Sequence, residues 1–207
     1  MLKDSQELLQ RLNSPKYEKL RNKVFLYSCD FESIYTNINP DDAIKKICKY
    51  LKNEKLIKAK HFDLVAFRLL LKIVFNNNIF KFEDLFYLQL IGLSMGCKCG
   101  PTVANLYLYI IEKTWVEKNK PLSYARFIDD IFCATEVQLN KNDLQSHFGY
   151  LKLNIADGEM VNFLDLTICQ DPLTDKFITN LYTKPTNTFS YLKTNSNHPK
   201  HIFNNIP

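Results

Sequence analysis

The stretch that decides the fold of this chain is Tyr124-Ala125-Arg126-Phe127-Ile128-Asp129-Asp130-Ile131-Phe132. Two short apolar and aromatic runs flank a pair of adjacent carboxylates. Like charges side by side repel, and each raises the pKa of the other unless a cation neutralises them. A strand, an acidic pair and a second strand therefore predict a tight hairpin that holds a divalent metal at its tip. The alternative interpretation is a solvated turn, because Asp is a common turn residue.

Another carboxylate stands at the end of a second strand-like run. Asp30 follows the apolar residues 24–29 and precedes the aromatic residues of 31–35. Placed beside the hairpin, it would complete a three-Asp site for hard, oxygen-preferring cations such as Mg²⁺. Two such ions, about 3.5–4 Å apart, activate an attacking hydroxyl and stabilise a leaving pyrophosphate. A helix cap is the alternative role for Asp30, but Asn39 and Pro40 already supply a helix start nearby.

Five blocks of sequence follow one another along nearly the whole chain. They are 30–38 (DFESIYTNI), 92–107 (GLSMGCKCGPTVANLY), 124–132 (YARFIDDIF), 161–168 (VNFLDLTI), and 181–186 (LYTKPT) with 196–199 (SNHP). Together, and in this order, the blocks resemble the polymerase domain of reverse transcriptases, most of all that of Penelope-like retroelements and related transposon enzymes. The resemblance implies an α+β polymerase palm, in which helices back an antiparallel sheet, followed by a primer-grip region and a partial thumb.

The resemblance also implies roles for individual residues. Asp30 and Asp129 would be catalytic metal ligands, with Asp130 a weaker or outer ligand of the same cluster. The backbone carbonyl of Phe31 would complete the shell of one metal. Tyr35 would lie under the sugar of the incoming nucleotide, where its ring clashes with a ribose 2′-OH and selects deoxynucleotides. Core packing is the alternative role for this ring, as it is for most aromatic residues in such a run.

The block at 92–107 would supply further contacts to the nucleotide. Gly96 allows the backbone to pass close to the template or nucleotide, where a Cβ would be in the way. Met95 stands where retroviral relatives carry Gln, so a soft apolar contact replaces a hydrogen bond. Lys98 is a candidate contact to nucleic-acid phosphate, with an ordinary surface lysine as the alternative. Lys184, in the last block, is the other nucleic-acid-binding candidate.

The function implied by the resemblance is RNA-directed DNA polymerisation. A primer 3′-hydroxyl would attack the α-phosphate of a deoxynucleotide between two Mg²⁺ ions, for which Mn²⁺ could substitute. The partners would be an RNA template, a DNA primer and deoxynucleoside triphosphates. Two alternatives remain open at this point. One is an inactive retroelement remnant that binds nucleic acid or a protein; the other is a two-metal nuclease, which leaves Tyr35 and 92–101 unexplained.

Length and composition are those of one domain with a sizeable core. The chain has 207 residues, of which 46% are hydrophobic. We expect a palm over about 1–155 and a primer-grip hairpin with the start of a thumb over about 156–207. Because 29 residues precede Asp30, the fingers are expected to be missing. The basic residues that grip the triphosphate would then be missing too, and with them much of the transition-state stabilisation.

The charges and cysteines bear on partners and on location. Residues 45–81 contain ten Lys or Arg and two acids, which predicts either a nucleic-acid-binding surface or a solvated helix face. Basic and aromatic residues also alternate near the end of the chain, which suits a strand-gripping surface; they include Tyr182, Lys184, Phe189, Tyr191 and Lys193. Six irregularly spaced cysteines indicate reduced thiols of an intracellular protein, nuclear or cytoplasmic. We expect no membrane contact, because no run approaches the 18–20 or so apolar residues of a span and no signal peptide is present.

Hydrophobic periodicity predicts alternating helices and strands. We expect helices over about 3–12, 40–52, 61–76, 101–118 and 138–149, and a hairpin over about 80–91. Further strands are expected over about 24–30, 151–155, 160–169 and 176–183. The segment 61–76 is apolar on nearly every side, which predicts a buried helix. The helices are expected to cover one face of the sheet.

Overall fold

The computed structural model describes residues 1–18, 20, 22–54, 62–188, 190, 192–193 and 196–203. Some residues counted or named above lie outside this part of the chain. They are Lys55, Lys58 and Lys60, counted in the basic segment 45–81, and the aromatic residues Phe189 and Tyr191. The helices of the described part are α1 (Ser5–Leu12), α2 (Ile34–Asn37), α3 (Pro40–Asn53), α4 (Leu64–Asn76), α5 (Gly100–Asn119), α6 (Lys141–Phe148) and α7 (Lys200–Phe203). None of these helices is long and apolar enough to cross a bilayer.

The strands of the described part are β1 (Phe25–Phe31), β2 (Ile79–Phe82), β3 (Leu85–Leu88), β4 (Ser123–Phe127), β5 (Asp130–Thr135), β6 (Leu153–Gly158), β7 (Met160–Phe163), β8 (Leu166–Gln170) and β9 (Phe177–Leu181). They form one sheet in the order β4-β5-β1-β6, the hairpin β2-β3, and a second sheet in the order β7-β8-β9. Neighbouring strands in these sheets are antiparallel. The expected α+β fold with antiparallel sheets is confirmed.

Local capping determines where α3 and α4 begin. The Asn39 side chain accepts a hydrogen bond from the backbone N–H of Asp42, and Pro40 occupies the first turn of α3. The Asn39 side chain satisfies one of the free N–H groups at the helix start. Pro40 has no N–H group that could be left without a partner. Asp63 caps α4 in the same way by accepting from the N–H of Val65. The predicted start of α3 at residue 40 is therefore confirmed.

The larger sheet lies between two hydrophobic cores. Because strand side chains alternate between faces, Tyr27, Cys29 and Phe31 point into a core built with α3, α5 and α6. Leu26 and Phe132 point to the opposite face, into a core built with α1 and the second sheet. Helices back one face of the sheet, as expected. The other face is covered partly by strands, which the expectation of a single helical layer missed.

The prediction that 61–76 forms a buried helix is wrong in its burial. A helix is present as α4, but of its residues only Leu71 and Phe75 are buried. Apolar side chains elsewhere on α4 are exposed, among them Leu70 at 61% and Ile73 at 60%. The reason is that α4 packs along α3 through a narrow stripe, and a helix can be apolar all round without being covered all round.

The strand expected over 160–169 is instead a hairpin. Its two arms are β7 and β8, and Val161 pairs with Ile168 across it. Leu164 adopts a left-handed backbone conformation with φ 54°, which reverses the chain between the arms. No Gly or Pro marks this turn, so its sequence resembles that of a continuous strand.

Candidate active site

The three predicted acidic residues meet at one end of the β1–β5 pair. Asp30, near the end of β1, lies opposite Asp130, the first residue of β5. Residues directly opposite in an antiparallel pair share a face of the sheet, so these two side chains lie on the same face. Asp129 occupies the turn between β4 and β5, and its carbonyl accepts a hydrogen bond from the N–H of Phe31 at 3.3 Å. Carboxylates about one hundred residues apart in sequence are thus neighbours.

The charges of this acidic cluster (Asp30, Asp129 and Asp130) act on one another. Partial burial and the neighbouring Asp129 raise the pKa of Asp30, while a hydrogen bond with Asn154 and the charge of Lys184 act in the opposite direction. Burial, together with Asp129 and Asp30, raises the pKa of Asp130 to about 6. The cluster therefore holds more negative charge than its surroundings neutralise, which is the electrostatic condition for cation binding.

Lys184 is the cation that the fold brings to the acidic cluster. It follows β9 and is exposed, yet it is near enough to lower the pKa of both Asp30 and Asp130. A lysine chosen from sequence as a nucleic-acid contact thus lies beside the candidate catalytic acids. Lys98, the other such candidate, is also exposed.

The loop after β3 is fixed to α2 by a close backbone contact. The N–H of Leu93 donates to the carbonyl of Tyr35 at 2.6 Å. Gly92 has φ +86°, and a Cβ built on it would lie 2.7 Å from the Cα of Thr36. Only glycine fits a position with both this conformation and this clearance. The loop that carries the second block is therefore joined to the helical turn that carries Tyr35.

The residues predicted to contact the nucleotide line this joined region. Met95 is 71% exposed, and Gly96 faces open space, because a Cβ added to it would find Ser94 Oγ as its nearest neighbour at 3.9 Å. The Tyr35 ring is half-buried against the helical core, as the alternative packing role predicted, and part of it remains accessible. The side chain of Phe31 is buried edge-on against Phe148, which leaves its backbone as the available ligand.

Two thiols lie side by side in the second block. The sulfur atoms of Cys97 and Cys99 are 3.3 Å apart, and all six cysteines of the chain are free thiols. Partial burial, followed by the neighbouring Cys97, raises the pKa of Cys99. The two residues lie just before Gly100, where a Cβ would come within 2.8 Å of the Ser94 carbonyl oxygen.

The family model described as reverse transcriptase (RNA-dependent DNA polymerase) matches residues 2–157. This chain belongs to the reverse transcriptase family. Among solved structures, a telomerase of Candida albicans in complex with a fragment of telomeric RNA is similar with a TM-score of 0.64 at 12% identity, covering 94% of this chain and 36% of that one. Apo telomerase of Candida tropicalis, truncated from its C-terminal domain, is similar with a TM-score of 0.59 at 15% identity, covering 86% of this chain and 40% of that one.

These telomerase matches show a shared fold. This reverse transcriptase domain spans about two fifths of the telomerase chains it matches. No curated protein sequence matches it significantly.

Members of the reverse transcriptase family typically use Mg²⁺, and the acidic cluster has the donors for it. Carboxylate oxygens are the ligands that Mg²⁺ and Mn²⁺ prefer. A cation would relieve the repulsion that, after burial, contributes to the raised pKa of Asp30 and of Asp130. Among the described residues, no three His, Cys, Asp or Glu side chains converge closely enough to hold one ion. The donors thus fit Mg²⁺ in chemistry and charge, but their side chains are not gathered closely around one point.

Sequence reasoning missed several residues around the acidic cluster. Asn154 of β6 lies opposite Asp30, and nothing in its local sequence marks it. Arg126 and Glu112 form a buried ion pair behind the turn that carries Asp129. A signal for Arg126 was present, because a single charged residue in an apolar strand must find a buried partner.

Proposed function

We propose that this reverse transcriptase domain is an RNA-directed DNA polymerase domain that uses two-metal nucleotidyl transfer. The observation that supports the proposal most directly is the register of β1 and β5, which sets Asp30 against Asp130 with Asp129 in the adjoining turn. The raised pKa values of Asp30 and Asp130 also support it, because each is caused partly by the charges of the other acids. A two-metal site needs this kind of compact negative charge.

In this proposal each residue has one task. Asp30 and Asp129 hold the metal ions, with Asp130 as an outer ligand and the carbonyl of Phe31 as a further one. Bound Mg²⁺ would supply the positive charge that activates the primer hydroxyl and neutralises the leaving pyrophosphate. The exposed part of the Tyr35 ring faces the sugar and excludes a ribose. Tyr35 keeps its place because its carbonyl accepts the N–H of Leu93.

The nucleic-acid contacts are part of the same proposal. Met95 and Gly96, on an exposed loop, lie against the nucleotide, while Lys98 and Lys184 contact the phosphate backbone of an RNA template paired with a DNA primer. Residues 1–155 would form the palm and 156–207 the primer grip and the start of a thumb. The Met before Gly96 and the sequence LYTKPT at 181–186 support an origin in a Penelope-like retroelement.

Primer extension on an RNA template tests the proposal. The purified chain is expected to add deoxynucleotides with Mg²⁺ or Mn²⁺. Asp129→Asn should lower the rate at least about a thousandfold, because it removes a charged ligand of the metal ions that stabilise the transition state. Asp84→Asn is the matched control, since Asp84 is fully exposed in the β2–β3 turn. Equal extension by wild type and Asp129→Asn would contradict the proposal.

A non-catalytic remnant that binds nucleic acid is the second candidate. It is favoured by the finding that, in the described part of the chain, no trio of acids is drawn together tightly enough to hold a metal. It predicts retained binding of an RNA–DNA duplex with no extension under any metal. The same purified chain, assayed for both properties, separates the two candidates.

A further inference from the structure

A set of buried and partly buried polar side chains lies directly behind the acidic turn. We call it the turn anchor; it consists of Arg126 on β4 with Asn105 and Glu112 on α5. The Arg126 side chain is 3% exposed, and its Nε lies 2.6 Å from Oε1 of Glu112. That contact is an ion pair without hydrogen-bond alignment. The guanidinium of Arg126 also donates to the side-chain oxygen of Asn105 at 2.8 Å and to the Asn105 carbonyl at 3.1 Å.

The turn anchor is held rigidly from the helix side. Asn105 and Glu112 are seven residues apart, which is two turns of α5, so both project from the same face. The hydroxyl of Tyr124 donates to Oε1 of Glu112 at 3.0 Å and so fixes the carboxylate. Burial, then the charge of Glu112, raises the pKa of Tyr124 well above its ordinary value, which keeps this donor protonated. The guanidinium is thereby confined to one orientation.

One further hydrogen bond connects the turn anchor to the acidic turn. The guanidinium of Arg126 donates to the carbonyl of Ile128 at 2.7 Å. Ile128 has φ +53°, and it is the one β-branched residue among the non-glycine residues with positive φ in the described part of the chain. A β-branched residue in this conformation is strained, and the strain persists only where the surroundings impose it. Asp129 is the next residue.

Stability alone is a weak reason for this arrangement. Replacing a buried ion pair by apolar residues of similar volume is often neutral or stabilising. What apolar residues cannot supply is a directed donor for the carbonyl of a strained turn. Arg126 also lies opposite Ile131, whose side chain faces the helical core, whereas Asp30 and Asp130 share the other face. The turn anchor therefore supports the turn from behind and leaves the acidic face open.

We propose that the turn anchor positions Asp129 for metal binding by holding the carbonyl of Ile128 in its left-handed conformation. The inference rests on the proposed function, because it assigns Asp129 to a metal. Arg126 is a positioning residue in this account, since it acts through the backbone of the turn. Nothing in its role requires contact with nucleotide or nucleic acid.

Mn²⁺ binding to the free chain, followed by the electron paramagnetic resonance signal of the unbound ion, tests the inference without any catalytic readout. Arg126→Lys keeps the charge opposite Glu112 but loses the fork of donors that reaches Ile128. It should weaken Mn²⁺ binding about 10–100-fold, the usual effect of losing a residue that orients a ligand. The paired change Glu112→Leu with Arg126→Met should weaken binding as much, while the thermal midpoint stays the same or rises. This second variant decides the matter if Arg126→Lys does not fold.

Thr135→Val is the matched control. The hydroxyl of Thr135 donates a partly buried hydrogen bond to the carbonyl of Val137 at 2.8 Å, at the far end of β5 from the turn. The change should cost stability and leave Mn²⁺ affinity within about twofold, as expected for distant, uncoupled sites. In the Ile128→Gly background, where the left-handed turn carries no strain, Arg126→Lys should weaken Mn²⁺ binding less than about threefold.

The outcomes separate the inference from the proposed function. Equal Mn²⁺ binding by wild type and Asp129→Asn would overturn the metal site, and the positioning role with it. Strong binding by wild type, loss in Asp129→Asn, and unchanged binding in the folded turn-anchor variants would overturn the positioning role alone. Affinity that follows thermal stability across all variants, Thr135→Val included, would show that the anchor is merely structural.

Discussion

At the scale of single residues, burial and neighbouring charges raise the pKa of two acids in the cluster. The pKa of Asp130 is raised to about 6 by partial burial and by Asp129 and Asp30, and that of Asp30 is raised in the same direction. Both carboxyls therefore bind protons more readily in the folded protein than in the unfolded chain. Metal binding, which needs the ionised form, competes with this protonation.

The raised pKa of Asp130 predicts a specific dependence of stability on pH. An unfolded Asp has a pKa of about 3.9, so between pH 4 and about 6 the native state holds more protons, and its stability falls as the pH rises. Asp130→Asn removes this contribution. In urea unfolding with EDTA, the variant should gain stability relative to wild type from pH 4 to about 6.5 and then level off. A difference in stability between variant and wild type that does not change with pH would contradict the raised pKa of Asp130.

Glycine positions give a second prediction at the residue scale. Gly92→Ala combines a positive φ with a clash against the backbone of α2, and should lower the free energy of unfolding by about 2 kcal/mol or more. Gly149→Ala has the positive φ but open space, so about 1 kcal/mol is expected. Gly96→Ala has neither and should change stability by less than about 0.5 kcal/mol. Denaturant unfolding of the three variants would show whether this order holds.

At the scale of elements, α4 and the β2–β3 hairpin are elements with much exposed apolar surface. The hairpin is solvent-exposed along both strands, and α4 contacts the core through Leu71 and Phe75. An isolated hairpin of two strands is at best marginally stable in water. These elements therefore depend on few tertiary contacts, whereas β1 is paired on both sides within the larger sheet.

The narrow contact stripe of α4 predicts unequal effects of two neighbouring leucines. Leu71→Ala removes a buried side chain and should cost about 2–4 kcal/mol of unfolding free energy. Leu70→Ala, at a position 61% exposed, should cost less than about 0.5 kcal/mol. Thermal or urea unfolding measures both. Equal costs would mean that α4 is covered on more than one side.

At the scale of the whole molecule, the acidic cluster gathers distant parts of the chain around one end of a sheet. β1, β5 and β6 supply Asp30, Asp130 and Asn154 in register, and the segment after β9 brings Lys184. Each face of the sheet has its own core, so the strands that carry the cluster are supported on both sides. Such support limits the movement of the acids relative to one another.

The position of Lys184 predicts how nucleic-acid binding responds to salt. If Lys184 and Lys98 each contact one phosphate, Lys184→Ala and Lys98→Ala should each reduce the slope of log affinity against log salt by about one. Lys23→Ala is the control, because Lys23 pairs with Glu159 near the other end of β1. Duplex binding measured by fluorescence anisotropy at several salt concentrations tests this. An unchanged slope in both variants would show that neither lysine contacts a phosphate.

The sequence by itself determined the reverse transcriptase family, the α+β class with antiparallel strands, the start of α3 at Pro40 and the acids of the candidate site. Each depends on local chemistry. A cap marks the start of α3, alternation of apolar and polar residues marks the strands, and short contiguous motifs carry the acids. It also placed most elements within a few residues, because hydrophobic periodicity is a local property.

Only the tertiary structure decided what depends on partners distant in sequence. It exposed most of α4, folded 160–169 into a hairpin and left no room for a side chain at Gly92, which its local sequence does not mark. It also revealed the turn anchor behind Asp129. Burial and buried polar pairing are set by what packs against a residue, and that neighbour is chosen by the whole chain and not by its local sequence.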